Sequence, residues 1–311
     1  MTPTNWQWYQ LSKNNDSTLK EIKTEINDVQ FDKWTKELHQ NNSNLLKLML
    51  TENGEKLMYG SLIYKQDFEK ESEKKICHFY VTENLLVMID LDFSIFKHNN
   101  IEMLEQQIDQ SQNAIDGFLL ILGELVNELL ISIDEFEVKL EKLIWNVRKN
   151  NNSHILDKIY EVRHQLFVMN NLLIPIKELE MGMNELYLNE VSSDENFHRT
   201  CKRIDRAISL LNGYEDQIDS IINLEEVISS HRGNEIMKTL TVITTLFTPV
   251  TVFGALWGMN FKHIPELKWQ YGYGVALIVI IISTLMLYAY LRLKGWTGDL
   301  LKGNKKGSLF K

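Results

Sequence analysis

Thr241, Thr244, Thr248 and Thr251 are four of the five threonines in a run from Leu240 to Trp257 that holds no charged residue. On a helix turning 100° per residue they fall within about 60° of one direction. Asn234, Met237 and Ala255 fall on the same side, Ser230 extends the row, and Leu240 lies at its margin. A stripe of hydroxyls and amides without fixed charge could line a symmetric pore for an ion that keeps its water shell. Mg2+ is such an ion, because it dehydrates reluctantly. Stripping the shell would need a close ring of carbonyls or carboxylates, and the run offers neither. The pattern alone leaves a second reading open. Threonines in membrane helices also bond back to the carbonyl one turn earlier, or join helices together.

Other residue types point away from chemistry. Eight histidines (His39, His78, His98, His154, His164, His198, His231, His263) are scattered without paired metal spacing. Cys77 and Cys201 make neither a metal motif nor a disulfide framework, which fits a reducing compartment. There is no Gly-rich phosphate loop, no HExxH and no GxSxG, so no enzyme and no resident cofactor are expected. A net charge of −9 makes nucleic acid a poor partner. Residues 1–20 have no apolar core of the signal-peptide kind, so no secretory signal is expected.

The elements that must position the stripe are helices in a membrane. Leu240–Trp257 and Tyr271–Leu291 are uncharged and near the length that crosses the hydrocarbon core. Trp257, Trp269, Tyr271 and Tyr273 gather at one edge, as interfacial anchors do. The second run is apolar all round, which suits a helix facing lipid. From Arg292 to Lys311 there are six Lys/Arg against one Asp, a net of +5, which leaves −14 of the chain's −9 for residues 1–291. Arg232 and Lys238 flank the first run, and the connecting loop holds only Lys262, Lys268 and Glu266. The positive-inside rule then places both termini in the cytosol. The expectation is a multi-pass protein of the cell membrane with a large acidic cytosolic part.

Upstream, the predicted fold class is α+β: a mixed sheet with helices, followed by long helices and two C-terminal transmembrane helices. Strand-like runs are Trp6–Leu11, Glu55–Lys65, Lys75–Val81 and Glu83–Asp90, with a helix over Gln30–Gln40. From about Ile101 the period becomes helical. Ala114–Asn150 and His154–Met183 form an antiparallel hairpin around Asn150–Ser153, with Ser153 as N-cap and a kink at Pro175. In a third helix Ile204, Leu211 and Ile218 recur every seven residues beside Ala207, Tyr214, Ile221 and Ile228, a coiled-coil-like seam. Running from about Asn196 to Trp257 it would be about 90 Å long, too long for a compact domain. The expected parts are an α/β domain (1–113), a helical hairpin (114–190), a long helix into the first span (191–258, span about 239–258), an outer loop (259–270), a second span (271–291) and a basic tail (292–311).

The first span ends in Trp257-Gly258-Met259-Asn260-Phe261, followed by Ile264-Pro265-Glu266-Leu267 and Trp269. This resembles the CorA family of magnesium transporters, whose hallmark is a Gly-Met-Asn triplet closing the first of two C-terminal membrane helices. LFTPVTVFGALWGMNF, PELKWQYGYG, ELVNELLISIDEFEVKLEKLI and LIPIKELE are also similar to the family, so the resemblance covers most of the chain, least so the first 50 residues. It implies a funnel-shaped homopentamer whose first spans line a central pore. It implies that Gly258, Met259 and Asn260 shape the outer mouth, with five Asn260 amides bonding the cation's hydration waters. Glu266 would add a ring of negative charge. Asn234 with Thr248 or Thr251 would form polar rings, Thr241 and Thr244 would lie in the same lining, and Met237 and Leu240 would form a constriction that gates by dewetting.

Two departures stand out. Trp257 replaces the tyrosine usual before the triplet. Magnesium-sensing members place a carboxylate early in the long helix, where this chain reads His198-Arg199-Thr200-Cys201-Lys202-Arg203, which a hard cation would not choose. Asp67, Glu69, Asp90 and Asp92 read as solvated surface charge. The expected cargo is Mg2+, with Co2+ or Zn2+ as other divalent candidates. A proton-coupled zinc relative of the same fold and a non-conducting coiled-coil scaffold are the competing readings.

Overall fold

A computed structural model describes residues 6–12, 16–26, 28–38, 42–50, 54–70, 73–96, 101–149, 154–191, 195–260 and 269–296. The elements begin with β1 (Gln7–Leu11), α1 (Asp16–Ile26), α2 (Val29–Glu37) and β2 (Leu45–Leu50). Next come β3 (Lys56–Gln66), β4 (Lys74–Val81), β5 (Leu85–Ile89) and a 3-10 turn (Phe93–Ile95). The helices α3 (Ile101–Asp109), α4 (Ala114–Lys149), α5 (His154–Val191), α6 (Glu195–Trp257) and α7 (Gly272–Leu293) complete the chain. It divides into two units, residues 1–219 and 220–311.

In the first unit the strands form one sheet in the order β1-β5-β4-β3-β2. Only β1 and β5 run parallel; the other neighbours are antiparallel. All five residues of β5 are buried, as in a strand covered on both faces. One face meets α1 and α2, where Ile22, Phe31, Trp34 and Leu38 pack with Leu57, Tyr59, Tyr80 and Val87. Asp28 caps α2 by accepting from the Gln30 N–H at 2.9 Å and also accepts from the Tyr80 hydroxyl at 2.6 Å, tying helix to sheet. The other face meets α4, where Phe79 lies 5.3 Å from Phe118 between ring centroids. The Trp6 indole donates to the Ser111 carbonyl at 3.0 Å and anchors β1 to the start of α4.

Several details differ from the sequence expectations. The strand β2 and the helix α1 were not foreseen. The second hairpin helix continues past Met183 to Val191, and Pro175 lies inside it without ending it. Ser153 and the hairpin turn lie outside the described residues. The heptad seam is filled within the chain. Ile204, Ala207, Leu211 and Ile218 are buried to 1% exposure or less within a single chain, and Tyr214 lies 5.8 Å from Phe136 of α4. The antiparallel hairpin supplies the partner that a second copy's helix would otherwise supply.

The second unit holds the rest of α6 and all of α7. Both helices are long and apolar enough to cross a membrane. Very little of either apolar stretch is buried, which separates them from core helices of a soluble protein.

Candidate functional site

Between Thr239 and Trp257, α6 has one inward face. Val242 and Pro249 are buried on it, and Leu246, Phe253 and Trp257 are partly buried. Phe253 and Trp257 stack with ring centroids 5.3 Å apart. On α7 the residues turned inward are Ala276, Ile280, Ser283, Thr284, Leu287 and Leu291, again one helical face. The two helices meet where α6 ends and α7 begins, with Gly254, Trp257 and Gly258 sharing a cleft with Gly272, Tyr273 and Ala276. So α7 has a packed stripe and is not lipid-like all round. Pro249 cannot donate to the Thr245 carbonyl, yet the helix continues through it.

The threonine row lies about 150° around α6 from this packed face. Thr244, Thr248 and Thr251 are exposed, and Thr241 is half-exposed. Met237 and Leu240, the expected constriction, are 61% and 54% exposed, and Asn234 is also open. The structure therefore leaves Leu240, Thr244, Thr248 and Thr251 open on this face, while Asn234, Met237 and Thr241 share a cleft with Trp296. The flanks of the face carry exposed Ile243, Phe247 and Val252.

Each threonine hydroxyl is already committed. Thr241 donates to the Met237 carbonyl at 2.7 Å and Thr244 to the Leu240 carbonyl at 2.9 Å. Thr248 donates to the Thr244 carbonyl at 2.9 Å and Thr251 to the Phe247 carbonyl at 3.0 Å. The back-bonded geometry raised as the alternative is thus present. It does not empty the stripe of chemistry. A hydroxyl that has spent its hydrogen still has lone pairs, so the row is an acceptor surface. The outward hydrogens of a hydrated cation's waters are the donors such a surface suits.

Beyond the stripe, the Gly258 N–H donates to the Gly254 carbonyl at 2.9 Å. A Cβ at position 258 would stand 2.8 Å from that oxygen, closer than real Cβ contacts, so the turn after α6 favours glycine. Met259 and Asn260 are exposed at the end of this turn. Glu266 and His263 lie outside the described residues.

In the first unit the carboxylates raised from the sequence are locally employed. Asp67 accepts from the Glu69 and Lys70 N–H groups at 2.8 and 3.0 Å, which hold its carboxyl below the usual range. Asp92 meets Lys75 at 2.5 Å and caps the 3-10 turn through Ser94; the lysine above all brings its pKa down to about 2. Asp90 has a left-handed φ of 62°. Among the described residues no group of three or more His, Cys, Asp and Glu could hold a metal. In the basic stretch, Arg199 pairs with Glu195 at 2.5 Å, and Arg203 reaches Glu124 at 3.7 Å and the Gly123 carbonyl at 3.2 Å. These arginines are occupied within the chain. Both thiols are suppressed: burial pushes Cys77 up to about 12, and burial with the nearby Glu180 does the same to Cys201.

Comparison with known proteins bears on this arrangement directly. Residues 4–293 match the model of the CorA-like Mg2+ transporter family. The chain belongs to the CorA family. A relative in Bacillus subtilis (strain 168), the magnesium transport protein CorA, is 41% identical over 305 residues, covering 98% of this chain and 96% of that protein. The cobalt/magnesium transport protein CorA of Thermotoga maritima is 23% identical over 181 residues, 57% of this chain and 51% of that one. Among solved structures, the complete CorA magnesium transporter of Methanocaldococcus jannaschii superposes with a TM-score of 0.65 at 19% identity, covering 94% of this chain and 92% of that one. The cytoplasmic domain of ZntB from Vibrio parahaemolyticus matches at a TM-score of 0.53 and 10% identity, covering 74% and 91%. At those identities the superpositions establish the CorA fold and nothing finer. As a CorA-family chain with two such helices, this is a membrane protein.

The sequence missed one feature beside the stripe. Trp296, just past α7, lies against α6 next to Asn234, Met237 and Thr241. The Gly295-Trp296 pair after the charged end of the span was the available signal.

Proposed function

We propose that this protein is the subunit of a Mg2+ channel in which α6 of each copy lines a common pore. The observation that carries the reading is the orientation of the threonine row. Thr244, Thr248 and Thr251 point away from the chain's own packing, the row's donors are spent, and its acceptors remain open. Such a face is satisfied when several copies surround a water-filled path. Closing that path needs copies on a symmetry axis, and a homopentamer is the assembly that the CorA resemblance supplies. The names of its relatives support magnesium as cargo.

In this reading the ion passes with its waters bonded to Asn234, Thr241, Thr244, Thr248 and Thr251. Five Asn260 amides at the outer mouth bind the first shell of waters, with Gly258 and Met259 shaping the turn that presents them and Glu266 concentrating cations in the loop. Met237 and Leu240 form the apolar narrowing that dewets to close. Both termini lie in the cytosol, where the Lys/Arg-rich flanks of the spans belong. The ion itself is cargo.

The test is flux into proteoliposomes that hold the purified full chain, with Mg2+, Co2+ and Zn2+ supplied in turn, with and without a pH gradient. Mg2+ entry that ignores the proton gradient supports the channel. Zn2+ entry that requires the gradient assigns the protein to zinc transport, and no entry of any ion leaves a scaffold.

A further inference from the structure

The helix α5 is apolar on two sides. Ile159, Leu166 and Leu173 are each 2% exposed, while the residues after them, Tyr160, Phe167 and Ile174, are 69%, 61% and 63% exposed. Met181 continues this open row at 62%. The row recurs every seven residues, as the seam of a coiled coil does. Phe167, Ile174 and Met181 line a groove of about 890 Å3 together with Leu46 and Leu48 of β2 and Ile208 of α6. A second row runs along α4. Val138 and Trp145 are each 50% exposed, and the half-buried Ile131 stands seven residues before Val138. These three follow the buried Leu129, Phe136 and Leu143 by two residues, so they lie about 200° round that helix. Contiguous apolar surface left open outside a membrane marks an interface.

The two rows stand at matching heights. The Lys139 Nζ donates to the Gln165 Oε1 at 3.3 Å and fixes the alignment of α4 against antiparallel α5. Counting away from that pair puts Val138 level with Phe167, Trp145 with Tyr160, and Ile131 with Ile174, each to within one residue, about 1.5 Å. The helix α5 also runs antiparallel along α6, because the pairs Arg163–Asp219 and Lys177–Asp205 are equally spaced on both helices. Rotating a copy about an axis along these helices leaves every height unchanged. The row on α4 of one copy then meets the row on α5 of the next in register. The charges beside the rows agree. Exposed Glu141 lies one turn before Trp145, and exposed Arg163 lies one turn before Phe167. Antiparallel opposition brings both to one height on the same side. Arg163 already holds Asp219 at 3.4 Å, and a guanidinium has five N–H donors, enough for a second carboxylate.

We propose that the first unit carries a contact between neighbouring copies of this chain, in which Ile131, Val138 and Trp145 of one copy pack against Ile174, Phe167 and Tyr160 of the next. The two surfaces are unlike, so the contact is head-to-tail, the kind that closes a ring of any number of copies. It rests on the oligomer proposed above, with its axis along α6, and is independent of which ion is carried.

The experiment is oxidative cross-linking of the full-length protein in membranes, with two differently tagged forms expressed together. Both positions are exposed, so cysteines there leave the core intact. Val138→Cys in one form with Phe167→Cys in the other should give a disulfide-linked dimer carrying both tags. Val138→Cys with Ile174→Cys, one heptad and about 10 Å out of register, should lose that dimer, because a disulfide needs Cα atoms within about 7 Å. The wild type gives the background of the two native cysteines. Equal yields from the two pairs overturn the register. A dimer from Phe167→Cys alone makes the contact two-fold and overturns the head-to-tail arrangement. Chromatography of the same protein without oxidation separates the two levels. An oligomer that gives no Val138–Phe167 cross-link sinks this contact alone, and a monomer sinks the channel assembly with it.

Discussion

The helix α6 behaves as two different objects along its length. Over Ile204, Ala207, Leu211 and Ile218 its apolar row is sealed by its own chain, with Phe136 of α4 against Tyr214. Over Leu240–Leu256 one face is packed, while the threonine row, Phe247, Val252 and Leu256 stay open. The first part follows the ordinary rule of a soluble core, in which apolar surface finds apolar surface. The second follows the rule of a membrane, where exposed apolar surface meets lipid and a polar row needs an aqueous path. The lesson is that one continuous helix carries both a packed apolar seam and an open polar one, and burial within a single chain tells them apart.

Substitutions along α6 break or sharpen that contrast. The largest expected effect is at its outer end. Asn260→Ala should abolish Mg2+ entry into proteoliposomes while the oligomer keeps its size by chromatography; normal entry would remove the assigned role. In the sealed part, Leu211→Ala should cost about 2–5 kcal/mol of stability as a cavity forms, read by thermal unfolding of the solubilised chain. The same truncation at Leu240 should cost within about 0.5 kcal/mol and raise ion leak instead. Equal destabilisation at both positions would erase the contrast. Thr248→Val keeps the side chain's shape and deletes an acceptor. It should slow entry about tenfold, one hydrogen bond's worth, and leave stability alone because the hydroxyl only bonds back to Thr244. A variant that conducts normally would make the row a helix-internal feature.

The smallest effect is in the first unit. The Asp92 carboxyl titrates at about 2 in the folded state because Lys75 holds it ionised. A depressed carboxylate adds stability above its unfolded pKa and loses it as pH falls toward 2. This exposed pair is worth less than about 1 kcal/mol. Asp92→Asn should therefore lower the melting temperature slightly at pH 6 and not at pH 2, and an equal shift at both would mean that the loss is not electrostatic.

Much of the site was legible because its signals are local in sequence. The charge-free run, the four threonines at helical spacing and the Gly258-Met259-Asn260 closure need no tertiary context. What stayed hidden depended on neighbours. The run Leu45–Leu50 is apolar on both sides of Lys47, so its period names no element; it becomes β2 only because β3 offers an edge. The seam around Leu211 looks the same in sequence whether a second copy or α4 fills it. The spent donors of the threonines and the return of Trp296 through Gly295 are matters of geometry. In the stretch 198–203, the partners of Arg199 and Arg203, Glu195 one turn back and Glu124 on another helix, are likewise matters of geometry.

The two suppressed thiols, Cys77 and Cys201, have a practical consequence. Maleimides and methanethiosulfonates attack the thiolate, and a thiol titrating near 12 presents fewer than about one thiolate in ten thousand at neutral pH. Both native cysteines should therefore react more slowly than an open thiol of ordinary pKa, Cys77 most of all because it is fully buried. Single cysteines introduced one at a time along α6 can be read against that slow background. Which of those respond to a water-soluble reagent, and which only to a lipid-soluble one, would trace the aqueous wall of the protein residue by residue.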